Sequence, residues 1–203
     1  MQPKVSVIIP MYNVSEYVEE CFINLASQDL TDFEVVLIDD RSVDDTIDKT
    51  VKAIERFERK DVEFTLITQE TNMGVACARN KGLERASGEY IYFYDADDRL
   101  EPDTLSTLYA EAKLNDADIV GCEWYISFAQ NERAIGQRDV HSGVELFKGF
   151  ASGVIRWNLW LFMVRRSLYE QNKLRFLPGM NMGEDMMVMM KLALLSNRVS
   201  IIH

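Results

Sequence analysis

The amino-acid sequence predicts a three-layer αβα domain built around a mostly parallel β-sheet. Over the first 125 residues, five short apolar runs alternate with four segments of helical periodicity. Parallel strands need long crossover connections, usually helices, so this alternation predicts helices on both faces of one sheet. The 203 residues are enough for one large domain with a substantial core.

The predicted strands are compact apolar runs bounded by turn residues. They cover residues 5–9, 33–38, 64–68, 90–94 and 119–125. The first run is rich in β-branched residues and ends at Pro10, which is typical of a buried strand.

Helices are predicted between the strands from apolar spacing and from signals at the helix ends. They cover residues 15–27, 42–59, 75–86 and 102–114. Ser15 is expected to cap the first helix, and Ser42 with Asp45 has the spacing of a capping box for the second. Pro102 suits the first turn of the fourth helix.

The pattern changes after residue 126. Residues 127–142 are polar and weakly periodic, which predicts a loop or a short hairpin. Further helices are predicted at 143–150, 166–172 and 184–195, followed by a strand at 199–202. Because this strand ends the sequence with no tail, we expect the chain to be truncated at its C-terminus.

Composition excludes several classes of function. The formal net charge of −11 argues against nonspecific binding to nucleic acid, which needs clustered basic residues. The three cysteines are far apart and form no CxxC pair, so they are predicted to be buried free thiols in a reducing, cytoplasmic compartment. No signal peptide or membrane-spanning run is visible. The sequence also lacks the dinucleotide, P-loop and nucleophile-elbow motifs.

The sharpest local feature is an acidic cluster that follows the fourth predicted strand. Asp95, Asp97 and Asp98 fall within four positions, where their charges repel one another. A divalent cation would relieve that repulsion, and oxygen-only ligands suit Mn²⁺ or Mg²⁺ better than zinc. A solvated turn before the next helix is the alternative interpretation.

Polar residues also follow the first two predicted strands. Asp40, at the end of the second, could accept hydrogen bonds from a ribose or from the imide N–H of uracil. Tyr12, after the first, could stack on a base or simply pack against its neighbours. The carboxyl ends of parallel strands share one edge of a sheet, so three polar strand ends predict one shared site.

Two later segments carry further candidate residues. Gly74 permits a tight turn before the third helix, on which Arg79 could meet a nucleotide, the acidic cluster or only a surface partner. Asp185 opens the 184–195 helix, where the helix dipole favours a carboxylate. It is therefore either a helix-end residue or a general base.

Taken together, four motifs resemble those of glycosyltransferase family 2. In chain order they are VSVIIPMYN, VVLIDDRSVDDT, ETNMGVACARNKGLERASGEYIYFYDADD and GEDMMV. The resemblance implies the GT-A fold, a Rossmann-like αβα arrangement with a mixed sheet. It divides the chain into a nucleotide-sugar-binding subdomain at 1–126 and an acceptor-side region at 127–203.

The resemblance also implies roles for individual residues. Those matched to nucleotide-sugar binding are Pro10, Tyr12, Asp40, Arg79, Asp95 and Asp97. Those matched to the metal are Asp97 and Asp95 of the DxD motif, with Asp98 sharing the task. Asp185 matches the catalytic base, and Trp157, Trp160 and Glu184 lie in segments that contact acceptors.

The implied activity is metal-dependent, inverting transfer of a sugar from a nucleotide sugar, with UDP favoured, to a hydroxyl group. A saccharide or lipid-linked acceptor is implied, in the synthesis of cell-surface polysaccharide, lipopolysaccharide or capsule. Peripheral association with the inner face of the membrane and a homodimer are left open. No Q-x-x-R-W motif is present, which disfavours a processive synthase.

Two other functions are alternatives. One is a nucleotide-sugar-binding domain without catalysis. The other is a sugar nucleotidyltransferase, which would need a glycine-rich loop with a basic residue after the first strand, and residues 11–15 lack one. Arg41, in a position that family members often fill with glycine or asparagine, is a departure from the pattern.

Overall fold

A seven-stranded mixed sheet forms the centre of the fold. The computed structural model describes residues 2–57, 59–128, 130–180 and 182–203. In chain order the strands are β1 (Val5–Met11), β2 (Phe33–Asp39), β3 (Val62–Thr68), β4 (Tyr90–Phe93), β5 (Ile119–Cys122), β6 (Trp124–Phe128), β7 (Asn131–Ile135), β8 (Phe162–Arg165) and β9 (Val199–Ile202).

Helices cover both faces of this sheet. They are α1 (Val18–Ser27), α2 (Thr46–Arg56), α3 (Val75–Arg85), α4 (Thr104–Leu114), α5 (Gly143–Ser152), α6 (Arg166–Gln171) and α7 (Glu184–Leu195). One core contains buried residues of α1, α2 and α4, and the other contains those of α3, α5, α6 and α7. The predicted αβα layering is therefore confirmed. In the part of the chain described, no helix is long and apolar enough to cross a membrane.

The strand order is β3-β2-β1-β4-β8-β5-β9. Strands β1 to β4 pair in parallel, as do β5 and β9, whereas β8 runs antiparallel between β4 and β5. Both β8 and β9 come from the second half of the chain, so the two halves contribute to a single sheet. The sheet is mostly parallel and mixed, as predicted.

Side-chain alternation along the strands creates the two cores. On β1, Ile8 packs into the core of α3, and Val7 and Ile9 pack into the core of α1, because successive strand residues face opposite sides. Gly82 lets α3 lie close to the sheet: a Cβ atom there would be 2.3 Å from Cγ2 of Ile8 and 3.0 Å from Cδ1 of Ile38. A side chain at this position would force Ile8 or the helix to move.

The predicted helix caps are wrong. Helices α1 and α2 begin after Tyr17 and Asp45, and neither of these N-cap residues makes a side-chain capping hydrogen bond within the described ranges. The carboxylate of Asp44 accepts hydrogen bonds from the N–H groups of Ser15 (3.2 Å) and Thr46 (3.0 Å). One side chain thus organises the entries to both helices, which local capping rules do not anticipate.

The predicted strand at 119–125 is also corrected. Pairing breaks at Glu123, so β5 belongs to the central sheet, and β6 pairs with β7 in a separate two-stranded hairpin. An unbroken run of strand residues cannot reveal where one chain segment changes its partner. The short hairpin expected within 127–142 is present, but it begins earlier, at Trp124.

The three cysteines have free thiols, as predicted, but only one is fully buried. Cys21 is on the face of α1 that packs into the core, where burial raises the pKa of its thiol to about 12. Cys77 and Cys122 are half-buried.

Candidate active site

A cleft opens at the carboxyl edge of the sheet, above β1 and β4. The chain leaves β1 towards β2 on one side, and β4 joins β1 on the other side, so the strand order reverses at this point. Open α/β sheets bind ligands at such reversals, because the loops diverge there and leave a crevice. The cleft has a volume of about 340 Å³, and the predicted site residues that line it are Pro10, Tyr12, Asp40, Asp95 and Asp97.

The acidic loop after β4 forms one wall of this cleft. Asp97 is exposed, whereas Asp95 and Asp98 are half-buried. The loop is fixed by two hydrogen bonds: the Asp98 N–H donates to the Asp95 carbonyl at 3.0 Å, and the Tyr94 hydroxyl donates to the Asp98 carbonyl at 2.8 Å. The three carboxylates therefore occupy a preformed turn beside the cleft.

Two carboxylates of this loop, those of Asp95 and Asp98, are held in an environment that disfavours their charge. Burial raises the pKa of Asp95; the Arg79 guanidinium opposes that rise, and the charges of Asp97 and Asp185 add to it. Burial, with help from Asp95 and Asp97, raises the pKa of Asp98 to about 6. A bound cation would reverse these penalties.

Asp40 forms the opposite wall and holds the loop after β3 in place. Its carboxylate is 3 % exposed and accepts hydrogen bonds from the Gln69 amide (2.6 Å) and from the N–H groups of Met73 (2.8 Å) and Gly74 (2.8 Å). Gly74 has φ +85, which a side chain would oppose. Three of the four lone-pair positions of Asp40 are thus occupied by the chain itself.

Tyr12 is the exposed aromatic residue at the mouth of the cleft. Its side chain is 48 % exposed, which leaves a ring face open for stacking. Pro10, at the end of β1, is half-buried and lies on the cleft wall below it.

Arg79 is buried in a charged network instead of lying open to the cleft. Its guanidinium is 2.8 Å from the Glu184 carboxylate and 3.6 Å from that of Asp95. It also lies over the ring of Phe176, at 5.6 Å from the ring centroid. The sequence suggested a contact with the acidic cluster, and the structure has that contact, but Glu184 is the nearer partner.

Asp185 follows Glu184 at the start of α7. Gly183 has φ +79, which turns the chain into the helix. The half-buried Asp185 carboxylate accepts a hydrogen bond from the Met186 N–H at 2.7 Å, and its charge contributes to the raised pKa of Asp95. Asp185 is not among the residues described as lining the cleft, and its link to the acidic loop runs through its neighbour Glu184, which contacts Arg79.

Trp157 and Trp160, the tryptophans in the acceptor-side region, are not among the residues described as lining the cleft. Trp160 packs edge-on against Trp124, with ring centroids 6.2 Å apart, and its carbonyl accepts a hydrogen bond from Tyr92. Trp157 is half-buried against the core that contains α5 and α7.

Asn72 is a cleft residue that the sequence argument missed. It lies in the loop after β3, beside Gly74, and lines the cleft with Val75 and Ala78. The signal that could have identified it is the polar segment after β3, because the carboxyl ends of parallel strands face the ligand in such sheets.

No group of three or more His, Cys, Asp or Glu side chains is arranged to enclose a metal ion in the ranges described. A cation that also binds a diphosphate needs fewer protein ligands, because magnesium is commonly held by one or two carboxylates, with phosphates and water completing its coordination. Asp97, which is exposed at the cleft, and Asp95, whose ionised form is disfavoured, fit that requirement. These two carboxylates would therefore suit a cation that also takes oxygen ligands from a phosphate group better than a cation enclosed by protein side chains alone.

Comparisons with known proteins show the family of this chain. The family model described as "Glycosyl transferase family 2" matches residues 6–192. Glycosyltransferase EpsJ of Bacillus subtilis, itself uncharacterised, is 33% identical over 193 residues, which cover 91% of this chain and 54% of EpsJ. The cholesterol galactosyltransferase of Borreliella burgdorferi is 31% identical over 214 residues, covering 98% of this chain and 58% of that protein.

A solved structure has the same architecture. The poly(ribitol-phosphate) β-N-acetylglucosaminyltransferase TarS of Staphylococcus aureus, crystallised with UDP-GlcNAc, superposes with a TM-score of 0.81 at 26% identity. The match covers 98% of this chain and 56% of that structure. The chain thus spans little more than half the length of these relatives. With nearly all of its sequence matched by the family model, the chain belongs to glycosyltransferase family 2.

Proposed function

We propose that this chain contains the donor-binding and catalytic residues of an inverting glycosyltransferase, which transfers a sugar from a nucleotide sugar to an acceptor hydroxyl. One observation carries the proposal: residues from three strand ends, Tyr12, Asp40 and Asp97, line a single cleft at the point where the strand order reverses. Asp185 is not among the residues described as lining the cleft, but it follows Glu184, whose carboxylate bonds to Arg79 beside Asp95.

The donor is proposed to be a UDP-sugar. Tyr12 would stack on the base, and Asp40 would approach the nucleoside with its one remaining lone-pair position while it holds Gly74. The complexes of TarS with UDP and with UDP-GlcNAc support this choice. The sugar itself is not specified by the cleft residues.

A divalent cation, Mn²⁺ or Mg²⁺, is proposed to be held by Asp97, with Asp95 and Asp98 beside it. When bound, such a cation offsets the negative charge of the leaving diphosphate. Arg79 adds a positive charge near Asp95, but the charge is shared with Glu184.

Asp185 is proposed to accept the proton of the acceptor hydroxyl. A general base must lie within hydrogen-bond reach of the proton that it accepts. The half-buried Asp185 carboxylate lies at the start of α7, where it accepts a hydrogen bond from the Met186 N–H. The hydroxyl oxygen then bonds to the anomeric carbon on the face opposite the departing diphosphate, and the configuration inverts.

The acceptor side is proposed to involve residues 127–203, including Trp157 and Trp160. The names of two relatives specify different acceptors, a ribitol phosphate polymer and cholesterol, and both offer hydroxyl groups. We therefore propose a hydroxyl acceptor in a saccharide or a lipid-linked glycan of the cell surface. The free thiols are consistent with a reaction in the cytoplasm, at the inner face of the membrane.

The decisive experiment compares Asp185→Asn and Asp97→Asn with the unchanged chain. UDP release from UDP-GlcNAc, UDP-glucose and UDP-galactose would be measured with Mn²⁺, and UDP binding would be followed by calorimetry. Asp185→Asn should lower turnover by about 10²-fold or more and leave UDP affinity within about threefold, because the base is not needed for binding. Asp97→Asn should weaken binding itself.

An exposed carboxylate away from the cleft provides the control, and Asp29→Asn should change neither quantity. Full turnover in a folded Asp185→Asn variant would remove Asp185 from the proposal. Binding of UDP without turnover in the unchanged chain would favour the non-catalytic binding domain. Formation of UDP-sugar from a sugar 1-phosphate and UTP would favour the nucleotidyltransferase.

A further inference from the structure

Arg79 and Glu184 form a buried ion pair that joins two distant segments of the chain. They are separated by 105 positions, and their side chains meet at 2.8 Å between Nη1 and Oε1. Arg79 is 8 % exposed and Glu184 is 7 % exposed. The pair therefore connects α3, which packs on β1 and β2, to the first residue of α7.

The same guanidinium also reaches the acidic loop. Its Nη2 atom is 3.6 Å from Oδ1 of Asp95. Beneath it lies the ring of Phe176, at 5.6 Å from the ring centroid, which limits its movement on that side. Glu184, Arg79 and Asp95 thus form a continuous charged chain from the start of α7 to the cleft.

Stability alone does not account for this arrangement. Two charges lose their hydration when they are buried, and replacement of such a pair by apolar residues is often neutral or stabilising. The Nε–H of Arg79 is also buried without a hydrogen-bond partner in the ranges described. Burial of these charged groups costs free energy. The network is therefore better explained by the residues that it positions than by a gain in stability.

We propose that Glu184 is a positioning residue, which acts through Arg79 to fix the start of α7, and hence Asp185, relative to Asp95. Glu184 precedes Asp185 directly, so a restraint on its buried side chain also limits the movement of the backbone that carries the proposed base. Its burial keeps it from contact with an acceptor. The inference rests on the proposed role of Asp185 as the base.

The first test is Glu184→Gln, which keeps the shape of the side chain and removes its charge. Without that charge, Arg79 is drawn towards Asp95 and no longer holds α7 in place. Turnover of UDP-GlcNAc should fall at least tenfold, and the calorimetric Kd for UDP with Mn²⁺ should change less than threefold. Glu184→Asp, which keeps the charge on a shorter side chain, should recover part of the lost turnover.

Glu63→Gln is the matched control. Glu63 forms an exposed ion pair with Arg85 at 3.4 Å, at the outer strand β3, so the same substitution there should leave turnover and Kd within twofold. Wild-type turnover in folded Glu184→Gln, or a parallel loss of turnover and UDP affinity, would overturn the positioning role. A general loss of structure lowers turnover and UDP affinity together. It does not produce a large fall in turnover with UDP affinity nearly unchanged.

The second test asks whether Glu184 acts through Arg79. In an Arg79→Gln background the connection is already broken, so adding Glu184→Gln should lower turnover less than twofold further. This double variant removes both charges of the Arg79–Glu184 pair together, so neither member of the pair is left without its partner, and only Asp95 loses its contact with Arg79. It can therefore be measured even if Glu184→Gln alone does not fold. The inference would be contradicted if the loss of turnover in the double variant equalled the product of the losses in the two single variants.

The outcomes for Asp185 separate this inference from the proposed function. If Asp185→Asn is fully active, the proposed base is wrong and the positioning role fails with it. If Asp185→Asn is inactive and Glu184→Gln turns over normally, the proposed function stands and only the positioning role is overturned.

Discussion

Four carboxylates of the loops that follow β2 and β4 fall into two groups. Asp40 accepts three hydrogen bonds from the chain, and hydrogen bonds to Asp44 from Thr46 and Ser15 outweigh the effect of burial and lower its pKa to about 2. Asp95 and Asp98 have raised pKa values, because burial and neighbouring charges dominate. Asp40 and Asp44 hold loops in place through their hydrogen bonds, whereas Asp95 and Asp98 are carboxylates whose ionised form a bound cation would stabilise.

Asp98 gives the residue-scale prediction. Its pKa in the folded state is about 6, above the value of about 3.9 expected in the unfolded chain. Its contribution to stability is therefore greatest below about pH 4 and is lost as the pH rises through 6. In metal-free buffer, Asp98→Asn should raise the free energy of unfolding by about 1 to 3 kcal/mol at pH 7.5 and by little at pH 4.

Urea denaturation at the two pH values measures this difference, with the exposed Asp29→Asn as the control. An equal gain at pH 4 and pH 7.5 would show that charge relief is not the cause. No gain at pH 7.5 would show that the folded protein tolerates the ionised carboxylate.

Among the elements, α3 packs directly against the sheet, with Gly82 facing Ile8 and Ile38. It carries Arg79 towards the cleft and packs on β1 and β2 through Gly82. A helix normally lies farther from a sheet because side chains separate them. The missing side chain at Gly82 therefore sets how deeply Arg79 is buried.

Gly82→Ala gives the prediction for this element. Alanine favours helix by about 1 kcal/mol over glycine, but its Cβ would be 2.3 Å from Ile8 Cγ2, which forces the helix or Ile8 to move. We expect a net loss of about 1 to 2 kcal/mol in the free energy of unfolding, measured in urea. Lys81→Ala, on the exposed side of the same helix, should change it by less than about 0.5 kcal/mol. A Gly82→Ala variant more stable than the unchanged chain would contradict the close approach.

At the scale of the whole molecule, charge governs ligand binding. The chain carries a formal net charge of −11, and carboxylates outnumber the one guanidinium described beside the cleft. A nucleoside diphosphate brings further negative charge into that field. We therefore expect UDP to bind well only together with a divalent cation.

Thermal unfolding tests this expectation. With Mn²⁺ and UDP at about one hundred times its Kd, binding should stabilise the folded chain by about 2.7 kcal/mol, which corresponds to a rise in Tm of about 5 to 10 °C. UDP with EDTA should produce almost no rise, and Asp97→Asn should abolish the metal-dependent part. An equal rise with EDTA would show that the diphosphate is held without a cation.

The sequence by itself determined the αβα layers, the first five strands of the sheet to within a few residues and the acidic strand ends of the cleft. These follow from local patterns: apolar runs form strands, and parallel strands present their carboxyl ends at one edge. Only the tertiary structure decided the antiparallel insertion of β8 between β4 and β5, the shared role of Asp44 and the pairing of Arg79 with Glu184. Each of these joins residues far apart in the chain, and the spacing of residues within a segment contains no information about its distant partner.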